Sequence, residues 1–265
     1  PCNMDEIMAV VEEHDLYLVE DCAQSHDAAW DGRPVGTFGH FGCFSLQQSK
    51  QITTGDGGIV ITDDDDLADE AYRFHDKYYD RSGRGRPVDR IGMNYRMSEL
   101  VGAVALAQVR KLDRIISRRK ATAETLMAGI DEIPGINRAT VHPKATHTWW
   151  RIACTIDEEE LGCDAQTFSR AVAAEGLPLR AGTGRGEPIC MLPAFQNYAA
   201  YGSGDFPWEP PYGRRVPYRL EDYPNTNWAM RHVWTASWNE GFTLEDVDDI
   251  LRGLRKISGW YRGQR

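Results

Sequence analysis

No stretch of this sequence is long and apolar enough to enter a bilayer. The longest apolar runs, Gly58 to Ile61 and Gly102 to Ala107, fall far short of the roughly 20 residues a membrane-spanning helix needs. No basic-then-apolar signal pattern opens the chain, so it is read as soluble and cytoplasmic. Cysteines at metal or disulfide spacing are also missing. Cys2, Cys22, Cys43, Cys154, Cys163 and Cys190 are scattered, with no Cys-x-x-Cys and no Cys/His pair at ligand spacing. Neither a zinc site nor a disulfide framework is indicated, which leaves reduced, mostly buried thiols. Positive charge is in deficit, with 30 Lys and Arg against 40 Asp and Glu and a formal net charge of -10. That balance opposes attraction to nucleic acid or anionic membrane. What is present, 265 residues of which 42% are hydrophobic, suffices for one large domain or one large and one smaller.

Met4 to His14 places Ile7, Met8, Val10 and Val11 on one face and predicts a helix, followed by a buried strand from Leu16 ending in Glu20 and Asp21. Two further strands are expected at Phe41 to Ser45 and Gly58 to Thr62, separated by the Gly-rich stretch Thr53 to Gly58. Strands interleaved with helices predict an α/β sheet. Asp64 or Asp65 can cap a helix running to about Phe74, and His75 to Arg90 then reads as a polar loop, mobile or at an interface. Ser98 caps one long helix, or two nearly continuous ones, reaching Ile130, and its length places a domain boundary within it. The remainder predicts a strand at Trp149 to Asp157, a helix from Asp164 to Glu175 closed by Gly176, and a strand around Val233 to Trp238. A last helix opens on the capping box Thr243 to Asp246 and turns Val247, Ile250, Leu251, Leu254 and Ile257 inward. The loop Ala181 to Tyr223, rich in Gly, Pro, Tyr and Trp, exceeds ordinary connections and suggests a binding role.

Three pieces carry the chemistry: Glu20-Asp21-Cys22-Ala23-Gln24 at a strand end, Phe44-Ser45-Leu46-Gln47-Gln48-Ser49-Lys50, and Thr53-Thr54-Gly55-Asp56-Gly57-Gly58. In an α/β sheet the carboxyl ends of strands form the ligand crevice, so Asp21 and the residues after Ser45 are expected to face one pocket. A carboxylate, hydroxyls and a lysine beside a glycine-rich turn suit a phosphate-bearing cofactor held as a Schiff base.

These pieces, followed in order by Gly92-Met93-Asn94-Tyr95-Arg96-Met97-Ser98, resemble the motifs of the DegT/DnrJ/StrS family of pyridoxal-phosphate (PLP) aminotransferases, which aminate sugars and cyclitols. The resemblance implies an α/β fold of the PLP-dependent transferase type (aspartate-aminotransferase-like, fold type I). Residues 1–120 would be the C-terminal part of the PLP-binding large domain and residues 121–265 a small α+β domain. The resemblance further implies that Lys50 bears the PLP Schiff base and moves the substrate proton, and that Asp21 pairs with the pyridinium nitrogen. Gln24 would contact the ring or its hydroxyl, Ser45 the phosphate, and Asn94 the phosphate of the partner subunit in a homodimer. Glutamate or glutamine would give its amine to a keto-sugar, nucleotide-linked or free, or to a keto-cyclitol. The wording Phe44-Ser45-Leu46-Gln47 leans toward the cyclitol branch. Members of the family carry about half of the large domain upstream of the point where this chain has Pro1. The expectation is therefore a fragment, or a protein without that half, with an exposed sheet edge.

His26, just past the Asp21 strand, is a candidate substrate contact, although a lone histidine is more often structural. His147 and Trp149, with Trp150, are candidates where substrate would pass, since aromatic faces suit sugar C–H faces but also fill cores. Gly182 to Gly186 lacks the Lys-Ser/Thr ending of a P-loop and reads as a flexible loop. Arg81 to Arg86 sits among acidic segments and reads as a solvated or dimer-facing loop. Two alternatives to amine transfer stand. One is a non-catalytic binding or regulatory remnant of the same fold. The other is a different PLP reaction, racemisation or decarboxylation, using the same Lys50 and Asp21.

Overall fold

The computed structural model describes residues 1–179, 181–182, 187–201 and 206–264. In chain order its elements are α1 (Met4–Glu13), β1 (Val19–Asp21), β2 (Ala29–Trp30), β3 (Arg33–Pro34), β4 (Phe41–Ser45), β5 (Gly58–Ile61), α2 (Asp65–His75), α3 (Glu99–Val109) and α4 (Leu112–Ile130). There follow β6 (Ile136–Arg138), β7 (Ala145–Thr146), β8 (Arg151–Ile156), α5 (Glu158–Leu161), α6 (Ala165–Ala174), β9 (Ala181–Gly182), α7 (Pro193–Gln196), α8 (Pro224–His232), β10 (Val233–Ser237) and α9 (Leu244–Gly263). The chain forms two compact units: 1–121 with 140–150 and 239–241, and 122–139 with 151–238 and 242–265.

The first unit is built on a sheet ordered β1-β4-β5. β1 and β4 run parallel with Asp21 opposite Cys43, while β5 returns antiparallel with Gly58 opposite Ser45. Periodicity marks strands but not their direction, so this reversal, made by the Gly-rich turn, is visible only in the fold. Glu20 is buried and serves as a template for the chain before β4: its carboxylate accepts from the N–H groups of Gly36, Phe38 and Gly39, each at 2.7 Å. Gly42 in β4 lies so close to this segment that a Cβ there would stand 2.3 Å from the Gly36 carbonyl oxygen. Beneath, Leu46, Ile52, Ala105 and Ile115 form a buried cluster.

Local signals act where they were expected. Asp64 caps α2 through Asp66 and Leu67 N–H, and Ser98 caps α3 through Val101 N–H. The long helical stretch is two helices, broken at Arg110 and Lys111 between α3 and α4. The polar loop after α2 is tied down: Arg73 donates to the Pro87 carbonyl at 2.8 Å and pairs with Asp89 at 3.0 Å, and Tyr78 is buried.

The second unit carries an antiparallel sheet ordered β6-β8-β10-β9. Phe168 of α6 meets Trp234 of β10 edge-on at 5.8 Å, and both are fully buried. α9 opens on the reciprocal Thr243/Asp246 capping box and buries all five expected apolar side chains, each worth about 1.5–3 kcal/mol of transfer free energy. The strand expected from Trp149 begins only at Arg151, because Trp149 has left-handed backbone (φ +52). In the expected 181–223 loop, Phe195 packs edge-on against Trp208 and Tyr218. Residues 183–186 of the glycine-rich stretch lie outside the described residues. Among the described residues no helix is long and apolar enough to cross a membrane.

Candidate active site

Parallel pairing of β1 with β4 brings the carboxyl ends of both strands, hence Asp21 and Ser45, to one edge of the sheet. The Asp21 carboxylate is exposed and accepts from Ala23 N–H at 3.0 Å, an Asx turn that starts the loop leading to His26. Cys22 and Ala28 bury that loop against Val35 and Phe44. Burial pushes the Cys22 thiol up to about 12, so it stays protonated and inert. Ser45 is half-buried, and its Oγ accepts from Gln47 N–H at 3.2 Å.

Lys50 sits at the tip of a loop whose two feet, Leu46 and Ile52, are sunk in the core. The feet are held by Leu46 N–H to the Gly57 carbonyl (2.8 Å) and Thr54 N–H to the Leu46 carbonyl (2.9 Å). Gly55 (φ +87) and Gly57 (φ +142) take backbone conformations that a side chain would strain. Lys50 Nζ lies 4.6 Å from the centroid of the Trp150 ring, and no carboxylate among the described residues pairs with it. Trp150 is itself fixed by donating Nε1–H to the Ser49 carbonyl at 2.7 Å.

One buried side chain joins the two loops. Gln51 donates from Nε2 to the Gln24 carbonyl at 2.9 Å, and its Oε1 lies 3.1 Å from His26 Nδ1. His26 is buried, and its Nε2 meets no hydrogen-bond partner of good geometry among the described residues. Burial holds its imidazole below the ordinary range, and the nearby Lys50 charge acts in the same sense. Asp21, Gln24, His26, Ser45 and Lys50 are thus linked through β1, β4 and Gln51.

The other candidates are placed differently. His147 accepts the Trp149 N–H on Nδ1 at 2.9 Å, and burial pushes its pKa down to about 4. Trp149 is buried, so its ring is core; Trp150 is the aromatic that meets Lys50. Asn94 is exposed, forms a bridge with Asp76 and accepts from Arg96 Nε at 3.2 Å; none of these contacts reaches Lys50.

Two residues of this region escaped the sequence reading. Gln51 is one polar residue among several, with no local pattern to mark it. Arg119, inside the run Arg118-Arg119-Lys120, is buried, pairs with Glu240 at 2.9 Å and donates to the Trp149 carbonyl at 3.5 Å.

The profile of the DegT/DnrJ/EryC1/StrS aminotransferase family matches residues 1–208. The chain belongs to this family. Among its relatives, the spore coat polysaccharide biosynthesis protein SpsC of Bacillus subtilis (strain 168) is 28% identical over 266 residues, covering 97% of this chain and 63% of that protein. The L-glutamine:2-deoxy-scyllo-inosose aminotransferase of Micromonospora echinospora is 36% identical over 184 residues, covering 65% of this chain and 44% of the relative. The X-ray structure of the aminotransferase from Psychrobacter cryohalolentis superposes with a TM-score of 0.79 at 24% identity, covering 98% of this chain and 66% of that one. The chain therefore spans less than two thirds of the length of these curated relatives. Its fold is the aspartate-aminotransferase type that the DegT-family motifs implied.

Proposed function

We propose that the chain carries the lysine-bearing part of a PLP-dependent aminotransferase site that moves an amine from glutamate or glutamine to a keto-sugar or keto-cyclitol. The observation that carries this reading is the Gln51 bridge, which ties the loop of Asp21 and Gln24 to the loop of Lys50. The donor set fits PLP. Lys50 Nζ rests on the Trp150 ring face with no carboxylate paired to it among the described residues, so no ion pair has to be broken before it meets a carbonyl partner.

When bound, PLP supplies an electron sink for the charge that develops as a proton leaves the substrate. Lys50 Nζ would hold the cofactor and carry that proton. Asp21, exposed at the strand end, would accept a hydrogen bond from the ring nitrogen and keep it protonated. Gln24 would contact the ring and Ser45 Oγ the phosphate, with Asn94 reaching the phosphate of a second subunit. His26 is assigned to the substrate side; the aromatic face there is that of Trp150 rather than the buried Trp149, and His147 contributes by holding the Trp149 backbone. The cyclitol-aminating relative supports a cyclic polyol ketone as acceptor.

The chain is incubated with PLP, reduced with borohydride and mapped by mass spectrometry. The expected result is one adduct, on Lys50, that Lys50→Ala abolishes. Scattered labelling of surface lysines, or none, would overturn the assignment and favour a non-catalytic binding role. Release of 2-oxoglutarate from glutamate in the presence of a keto-cyclitol separates amine transfer from racemisation or decarboxylation.

A further inference from the structure

Trp149 adopts left-handed backbone (φ +52), which its Cβ makes costly and which persists only where the surroundings impose it. Both sides of the residue are held. Its N–H donates to His147 Nδ1 at 2.9 Å, its carbonyl accepts from Arg119 Nη1 at 3.5 Å, and its indole is buried. The next residue is Trp150, whose ring covers Lys50 Nζ and donates to the Ser49 carbonyl. The turn at Trp149 thus decides where the ring over Lys50 stands.

Arg119 is an unexpected residue for its place. It lies on the face of α4 that buries Ile115 and Ile116, with its side chain 5% exposed, whereas its neighbour Arg118 is exposed. An apolar side chain there would continue the buried stripe without taking a guanidinium out of water, and a buried ion pair need not stabilise more than well-packed carbons. What the guanidinium adds is direction, because its rigid fork holds two partners at a set angle. Nε and Nη2 grip one carboxylate oxygen of Glu240 at 3.1 and 2.9 Å, and Nη1 reaches the Trp149 carbonyl. Glu240 is fixed in turn, inside an Asx turn in which Asn239 Oδ1 accepts from Gly241 N–H at 2.8 Å.

We propose that Arg119, anchored by Glu240, is a positioning residue for the reacting amine: by holding the Trp149 carbonyl it keeps the turn that lays the Trp150 ring on Lys50. It acts on Lys50 only through Trp149 and Trp150. An amine confined against a ring face meets a carbonyl in one orientation, which is what a fixed scaffold contributes to a bond-forming step. The inference rests on the reading of Lys50 as the amine that takes the cofactor; its experiment reads the bare amine and does not.

The full chain, without cofactor, is treated with a trace of acetic anhydride and digested. Acetylation of Lys50 is measured by mass spectrometry relative to that of Lys256, an exposed lysine on α9. Trp150→Ala is expected to uncover the amine and raise the Lys50/Lys256 ratio at least about threefold. Arg119→Met keeps the apolar stem, removes the fork and should raise the ratio by a similar factor. The double variant decides: if Arg119 acts through Trp150, adding Arg119→Met to Trp150→Ala changes the ratio no further. Glu240→Gln alters only the partly exposed partner, is expected to give an intermediate rise, and carries the test where Arg119→Met does not fold. A ratio unchanged in Trp150→Ala, in Arg119→Met or, where that variant does not fold, in Glu240→Gln overturns the proposal. So does full additivity in the double variant, whatever the melting temperature does, because a merely structural arginine would lower the melting temperature without acting through Trp150. A missing PLP adduct on Lys50 in the parent overturns the transaminase assignment instead and leaves the positioning result standing.

Discussion

The Lys50 ammonium lies over the ring of Trp150, 100 positions further along the chain, with Nζ 4.6 Å from the ring centroid. The same indole donates to the Ser49 carbonyl at 2.7 Å, so one side chain holds both the backbone and the amine of the lysine loop. Trp150→Phe keeps a ring face and removes the hydrogen bond, which should cost about 1 kcal/mol. Trp150→Ala loses the face as well and should cost more. Urea denaturation of the two variants checks the ranking, and equal stability of Trp150→Ala and the parent would contradict it.

Gln51→Leu keeps the approximate volume and removes both bonds of the bridge. His26 Nδ1 is then left without its partner in the core, at about 1–3 kcal/mol, while the carbonyl of the exposed Gln24 loses less because water can replace the bond. The expected outcome is a lower urea midpoint and a weaker borohydride-trapped adduct on Lys50. A midpoint unchanged from the parent would show that the two loops do not need this bridge.

His147 titrates near pH 4 in the fold because burial disfavours its charged form, against about 6.5 in an unfolded chain. Between those values the unfolded state binds more protons, so stability falls as pH drops from 6.5 toward 4 and is flat with respect to this group above 6.5. His26, also held down by burial, adds a slope of the same sign. His147→Asn offers an amide oxygen to the Trp149 N–H and removes the titrating group. Its denaturation midpoint should therefore change less between pH 6.5 and 4.5 than that of the parent. Identical slopes would rule out the buried-histidine explanation.

Gly42→Ala is expected to prevent folding of the first unit, because the new methyl would stand 2.3 Å from the Gly36 carbonyl oxygen and 2.6 Å from the Gly36 Cα. Both are backbone atoms that no rotamer change can clear. Gly55→Ala meets nothing within 4 Å, and only its left-handed φ of +87 is penalised, at about 1–2 kcal/mol. Circular dichroism melts of the pair separate a clash from a conformational cost; a folded Gly42→Ala with parental melting would refute the close approach.

Much of the fold was legible because its signals are local. Ser98, Asp64 and the Thr243/Asp246 box act within four residues of where they stand. The 3.6-residue period of α9 specifies its buried face, and β4 is an apolar run closed by a polar end. The site was legible only at its motif residues. Gln51 acts on positions 25 and 27 residues away, and Arg119 on one 121 residues away, distances over which no periodicity speaks. Trp149 and Trp150 are adjacent and chemically identical, yet the left-handed turn at Trp149 buries one and sends the other to Lys50.

Glu20 and Asp21 are neighbours of like charge on a three-residue strand, and the pleat sends them to opposite faces. One carboxylate is consumed in shaping the chain that precedes β4, and the other stands exposed at the carboxyl end of β1. Their identities are therefore not exchangeable by composition: a swap of the two would preserve every charge and exchange a longer reach for a shorter one on both faces. Deleting a single residue of β1 would do more, turning the template outward and the exposed acid inward in one step. The strand's register, more than the presence of an acid, decides which carboxylate belongs to folding and which is left available for chemistry.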